Sequence, residues 1–170
     1  IWHAGCSSGE EVYSMAILLH EEGLYERTKI YATDINSSVL KAAKTGILPL
    51  DNMRKYTANY MKSGGERAFS DYYHAENNRV KLHAYLSKNV VFAKHNLVTD
   101  SSFNEFNVIL CRNVLIYFNK QLQEKVHNLF YESLAVFGFL GLGDKETIAY
   151  TGKQDHYEEI SNQKIYKKIK

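Results

Sequence analysis

Between a short apolar stretch and a helical pattern the chain reads Ala4-Gly5-Cys6-Ser7-Ser8-Gly9-Glu10-Glu11. Glycines let a backbone turn sharply and let a ligand approach the peptide groups. A helix that starts at Glu10 offers unpaired N–H groups at its first turn. Together they suit a nucleotide or a carboxylate, although a plain tight turn accounts for the same residues. The spacing is not the Walker form, which needs four residues between glycines and then Lys-Ser/Thr. The third glycine of the dinucleotide fingerprint is also absent, which argues against an NAD-dependent oxidoreductase. Glu10 and Glu11 suit a helix N-terminus electrostatically. Beside the turn they would repel a phosphate, so a cationic or neutral ligand with hydroxyls fits better.

Three further places carry candidate chemistry. Asp34, in Ala32-Thr33-Asp34-Ile35, follows an apolar strand pattern 25 residues after Gly9. An acid there hydrogen-bonds ribose hydroxyls in nucleotide-binding sheets; capping the next helix is the other reading, a role open to Asn36 as well. In His95-Asn96-Leu97 a polar amide at a strand end can meet an adenine edge or simply make a turn. Cys111-Arg112-Asn113-Val114-Leu115-Ile116-Tyr117-Phe118 follows the most apolar strand, at the end where open parallel sheets bind ligands. Arg112 there is a ligand group or half of a salt bridge. Tyr117 is a ligand group or a core ring with its hydroxyl satisfied.

The elements that must hold these residues alternate. Ile1 to Ala4 reads as a strand, and Glu10 to Glu22 as a helix with Val12, Met15, Ala16 and Leu19 on one face, stopped at Gly23. Lys29 to Thr33 is a strand, and Asn36 caps a helix through Lys44. Val90 to Ala93 and Phe106 to Cys111 are strands, the latter buried on both sides. Lys120 to Leu134 is a long helix, Phe137 to Leu142 a strand, and Glu158–Ile160 with Lys164–Lys170 a terminal pair. Strand, helix, strand, helix predicts an α/β fold with a mainly parallel sheet. The lysine-rich tail reads as a charged edge strand that discourages aggregation, or as a patch for an acidic partner.

Residues 51–88 break the rhythm with five tyrosines (Tyr56, Tyr60, Tyr72, Tyr73, Tyr85), Gly64-Gly65, and seven Lys/Arg against four Asp/Glu. A structureless insert of that length is uncommon. The expectation is a small antiparallel subdomain around Arg79 to Leu86, preceded by a helix or loop. It is either a surface elaboration or a docking element, since basic and aromatic residues together suit protein recognition.

Composition bounds the rest. A chain of 170 residues makes about one domain, and 45% hydrophobic with 24% charged residues excludes disorder, collagen and a disulfide scaffold. No apolar run approaches the roughly 18 residues of a membrane span. A net charge of +2 argues against a nucleic-acid partner. Cys6 and Cys111 form no metal-ligand spacing, so no metal is expected; they read as small packing residues in a reducing compartment. The chain opens on a strand with neither an initiator Met nor a signal peptide, so residues upstream of Ile1 are expected to belong to the same protein.

The strings WHAGCSSGEEVYS, ATDI, NL, FNVILCRNVLIYF and GFLGLGDKE, in that order, resemble the CheR-type chemotaxis receptor methyltransferases; CRNVLIYF is the most specific. The resemblance implies a Rossmann-like class I S-adenosylmethionine-dependent methyltransferase fold with an inserted antiparallel β-subdomain. It implies a catalytic domain over 1–170 with the insert at about 51–88, and a helical N-terminal domain that this chain does not contain. The implied activity is methyl-ester formation on glutamate side chains of the cytoplasmic helices of chemoreceptors, in the cytoplasm, with S-adenosylhomocysteine as product. A receptor-tail peptide would dock on the insert. Carried over by position, Gly5, Glu10, Asp34, Asn96, Leu97, Arg112 and Asn113 bind the cofactor, with Asp34 at the ribose, and Arg112 and Tyr117 serve catalysis. An acceptor carboxylate is already ionised near neutral pH, so the reaction needs no general base. A non-catalytic cofactor-binding scaffold and a class I methyltransferase for another substrate are the alternatives. The chain departs from the pattern at His3, Val12, Val136-Phe137 and Asp144-Lys145.

Overall fold

The computed structural model describes residues 1–76, 78–149 and 151–170. Strand β1 (Trp2–Ala4) passes through the glycine turn into α1 (Glu10–Glu21), followed by β2 (Ile30–Asp34) and α2 (Ser37–Thr45). The insert contains β3 (Ile47–Pro49), α3 (Met53–Lys62), β4 (Tyr73–Glu76) and β5 (Arg79–Leu82). Alternation resumes with β6 (Val90–Lys94), β7 (Phe106–Cys111), α4 (Lys120–Ser133) and β8 (Leu134–Leu142), and the chain closes on β9 (Tyr157–Ser161) and β10 (Ile165–Lys168).

Seven strands form one sheet in the order β6-β2-β1-β7-β8-β10-β9. The strands from β6 to β8 run parallel, while β10 is antiparallel to both β8 and β9. Apolar alternation supplies a core on each face. Val12, Ala16, Ile17 and Leu19 of α1 pack with Ile30 and Ala32. Trp2, Ala4, Ile109 and Leu140 pack with Val126, Leu129 and Phe130 of α4. Helix starts follow the expected capping: Asn36 Oδ1 accepts from Ser38 N at 2.9 Å, and Asn119 Oδ1 from Leu122 N at 3.0 Å.

The insert differs in detail from expectation. Its three-stranded antiparallel sheet has the order β3-β5-β4 and begins at Ile47, upstream of residue 51. Pairing stops at Leu82, and Ala84–Ser87 is a 3-10 turn instead of a continued strand. The turn drops Leu86 into the core, where its carbonyl accepts from Tyr25 Oη at 2.7 Å. Leu48, Met53, Tyr60, Tyr72, Val80 and Leu82 share one cluster with Tyr13 and Ile17 of α1. The Tyr60 and Tyr72 hydroxyls both donate to Glu21 Oε1.

The lysine-rich strand is also placed differently. β9, and not β10, is the sheet edge, so the reading of Lys164–Lys170 as an edge strand is corrected. Lys168 is 8% exposed because it turns inward to the end of α4. There α4 runs into β8 without a loop and without the usual glycine stop. Lys168 Nζ donates to the carbonyls of Tyr131 and Leu134, both at 2.7 Å, and lies 4.1 Å from the Tyr131 ring centre. Lys168→Met is expected to cost about 2 kcal/mol in urea denaturation, because two charge-assisted bonds go and the carbonyls lose their donor. An unchanged midpoint would refute this role.

His127 on α4 is buried, and burial pushes it down to about 4, against weaker opposing pulls from a Thr147 backbone hydrogen bond and the Glu146 charge. In the unfolded chain a histidine titrates near ~6.5. Above that value both states are neutral and the stability is complete. As pH falls, the unfolded chain takes the proton first, so stability drains away between about pH 6.5 and 4, by roughly 3 kcal/mol in total. His127→Leu should flatten that part of the acid-stability profile; a profile of unchanged slope would refute the assignment.

Candidate functional site

The strand order reverses at β1, with β2 on one side and β7 on the other. In open parallel sheets the crevice at such a reversal, beyond the strand carboxyl ends, is where ligands bind. The glycine turn follows β1, Asp34 ends β2, Asn96 follows β6 and Arg112-Asn113 follow β7, so the candidate residues meet on one crest. From β6 to β7 the crest spans three strand intervals, about 14 Å, which suits an elongated ligand such as a nucleoside with a polar tail.

The turn is shaped by its glycines and tied to β2. Gly5 and Gly9 have φ of 81° and 90°, and the N–H groups of Gly5 and Cys6 both donate to Thr33 O at 2.8 Å. Asp34 Oδ2 accepts from Ser7 N and Oδ1 from Asn36 N, each at 2.9 Å. Asp34 therefore fastens the turn while its remaining lone pairs stay available. Asn36 caps α2, which leaves Asp34 free of that role. Glu10 accepts from Ser8 Oγ at 2.7 Å and also lines a cleft of about 320 Å³ between α1 and the insert, with Tyr13, Tyr56 and Tyr60.

On the far side of β1, Arg112 Nη1 donates to Glu11 Oε2 at 2.8 Å, and His3 Nδ1 lies 3.1 Å from Glu11 Oε1. Burial alone would raise the Glu11 carboxyl, but hydrogen bonds and charge from His3 and Arg112 win and hold it below the usual carboxylate range. Arg112 thus forms the salt bridge considered from sequence, yet its side chain is 49% exposed and keeps donors to spare. Tyr117 is 80% exposed at the end of a 3-10 turn, so it is not a core ring. Asn113 stands at φ 61° on the crest.

Two other candidates also have places in the fold. Asn96 Oδ1 accepts from Val98 N at 3.0 Å and so shapes its own turn. The Leu97 side chain is buried in the α4-side core. Burial pushes the Cys6 thiol up to about 12, helped by the Asp34 charge, and raises Cys111 as well. Both remain thiols, as expected of packing residues. Among the described residues no cluster of three or more His, Cys, Asp or Glu is arranged to hold a metal, and no helix is long and apolar enough to cross a membrane.

Sequence reading missed Glu146. The residue is 4% exposed, and its carboxylate accepts four backbone N–H bonds. Oε1 takes Val114 N at 2.9 Å and Leu115 N at 2.7 Å; Oε2 takes Asn113 N at 3.0 Å and Gly143 N at 2.6 Å. Asp144 and Lys145 beside it are exposed. Glu11 was also missed as the shared partner of Arg112 and His3. The one available signal was a histidine inside an apolar strand, which needs a polar partner.

A mainly parallel sheet with helices on both faces, an antiparallel terminal pair and a polar crest at the strand-order reversal defines a Rossmann-like class I S-adenosylmethionine-dependent methyltransferase fold. Solved structures agree on the fold. PKMT2 from Rickettsia typhi in complex with AdoHcy superposes with TM-score 0.50 at 13% identity, over 83% of this chain and 20% of that one. The glycopeptide N-methyltransferase MtfA complexed with S-adenosyl-L-methionine gives 0.51 at 13% identity, over 83% and 42%. The chain belongs to the family described as CheR methyltransferase, SAM binding domain, which matches residues 1–166. It is 52% identical to the putative methyltransferase Cher3 of Pseudomonas putida, over 99% of this chain and 62% of that protein. It is 36% identical to chemotaxis protein methyltransferase 1 of Vibrio cholerae, over 94% and 58%. The chain thus spans little more than half the length of these relatives.

The donor set suits S-adenosylmethionine. The glycine turn is flanked by carboxylates and carries no cation for a phosphate, and the crest offers acceptors for hydroxyls and an ammonium beside amide and guanidinium donors.

Proposed function

We propose that this chain is the catalytic domain of a cytoplasmic protein-glutamate O-methyltransferase, acting on the cytoplasmic helices of chemoreceptors. The observation that supports the reading is the strand-order reversal of a CheR-family domain, where the glycine turn follows β1, Asp34 ends β2 and Arg112-Asn113 follow β7. When bound, S-adenosylmethionine supplies a methyl group on a sulfonium, which is already a good leaving group. Asp34 would take the ribose hydroxyls, Asn96 the adenine edge, and Gly5, Glu10, Leu97, Arg112 and Asn113 the rest of the cofactor. Arg112 and Tyr117, both exposed on the crest, would orient the incoming carboxylate. With an ionised acceptor the residues have no proton to remove, so alignment and exclusion of water are their contribution.

A receptor-tail peptide would dock on the insert. Among the described residues β3 and β4 are the edges of its sheet, and Arg79, Lys81 and His74 are exposed. An extended peptide can add to such an edge. The catalytic domain over 1–170, with its insert and a helical N-terminal domain beyond it, belongs to the same reading.

Calorimetric titration with S-adenosylhomocysteine, with NAD as control, tests the site. Binding of the former alone is the expected result. Transfer of labelled methyl from S-adenosylmethionine to a chemoreceptor cytoplasmic fragment then tests the substrate. An alkali-labile label is expected of an ester. Cofactor binding without any transfer would favour the non-catalytic scaffold.

A further inference from the structure

We propose that Glu146 is a positioning residue for the crest: its buried carboxylate sets the main-chain shape that presents Arg112, Asn113 and Tyr117, and through it the affinity for S-adenosyl ligands. The inference rests on reading the crest as the cofactor site. Four backbone donors converge on the two oxygens, two on each, which fills the roughly four acceptor positions of a carboxylate. A charge so fully coordinated replaces its lost hydration, which is what permits burial at 4% exposure. Three of the donors, Asn113, Val114 and Leu115, are consecutive in the segment after β7. The fourth, Gly143, lies just past the end of β8. One carboxylate therefore joins the ends of two neighbouring strands and sets the crest between them.

Two further observations show how tightly the joint is built. A Cβ on Gly143 would lie 2.7 Å from Glu146 Oε2 and 2.9 Å from Asn113 N, so only glycine fits. Asn113 sits in the left-handed region at φ 61°, which asparagine tolerates better than most residues, and its N–H is fixed there by Glu146. The donors to the Glu146 carboxylate are all main-chain N–H groups, so it acts on the crest through the main chain.

The test compares Glu146→Gln, Glu146→Asp and Lys168→Met with the wild-type chain. Glutamine matches glutamate in shape but has one acceptor oxygen, so it keeps at most two of the four bonds and turns an NH2 against N–H groups. Aspartate keeps both acceptors on a shorter stem. Lys168→Met weakens the fold at the far end of α4 and controls for general destabilisation. The readouts are the dissociation constant for S-adenosylhomocysteine and amide hydrogen exchange at residues 113–115. In Glu146→Gln the expected result is a weakening of roughly 30-fold or more with loss of protection at those amides. Glu146→Asp should fall between it and wild type, and Lys168→Met should melt earlier with unchanged affinity. Glu146→Gln binding within about threefold of wild type overturns the proposal. So does equal weakening by Lys168→Met, or failure of both Glu146 variants to fold, since each makes the role one of general stability. No binding by the wild-type chain overturns the cofactor reading and this inference with it, whereas unchanged binding in Glu146→Gln overturns this inference alone.

Discussion

Asp34→Ala is expected to weaken S-adenosylhomocysteine binding roughly a thousandfold, the sum of the two charge-assisted bonds to ribose hydroxyls proposed for Asp34, at about 2 kcal/mol each. The geometry that supports this is the division of labour at the carboxylate. One lone pair on each oxygen is spent on Ser7 N and Asn36 N, which leaves acceptor capacity on both oxygens of a half-buried carboxylate at the end of β2. Alanine also removes the Ser7 tie between the glycine turn and β2, leaving the two to Thr33 O, so the melting temperature should drop by a few degrees. Calorimetry separates the two effects if it is run well below the melting transition. Affinity within about threefold of wild type would remove Asp34 from the cofactor site.

Gly5→Ala is expected to destabilise the chain by about 4 kcal/mol, combining left-handed backbone strain with overpacking. Gly5 has φ +81°, and a Cβ there would stand 2.4 Å from Val114 Cγ2 and 3.2 Å from Cγ1. The Val114 main chain is held by Glu146 at 2.9 Å, so relief has to come from its side chain turning to another rotamer. Adding Val114→Ala should recover about half of the loss, the steric part, and leave the backbone part. Urea denaturation of the single and double variants measures both. A single variant within about 1 kcal/mol of wild type would show that the turn relaxes in a way this geometry does not allow.

Most of the sheet was legible because its signals are local. The apolar run Phe106 to Cys111, the helical spacing from Glu10 and the cap at Asn36 each carry their meaning within a few residues. So did the crest, since the glycine turn, Asp34 and Arg112-Asn113 all sit where strands end. What was not legible depends on which strands become neighbours. β3 is three residues long, follows directly on the Gly46 stop of α2, and becomes a strand only by pairing with β5. Glu146 lies in a polar turn and looks solvated until β8 is placed beside β7. The Glu11 bridge to His3 and Arg112 needs the register of β1 against β7, with His3 opposite Leu110. The lysines of β10 read as a solvated edge because nothing local announces that β9 will cover that side.

The insert has no interior of its own. Its buried residues belong to the cluster that α1 completes, and Tyr60 and Tyr72 both end on Glu21 of that helix. It is therefore a cover and not a bead on the chain. Excising it would bare the outer flank of α1, the helix whose opposite end carries Glu10 and Glu11, and the remainder would have to find another lid. It should melt in the same cooperative transition as the main sheet, so that a peptide captured on the insert would raise the thermal midpoint of the whole chain.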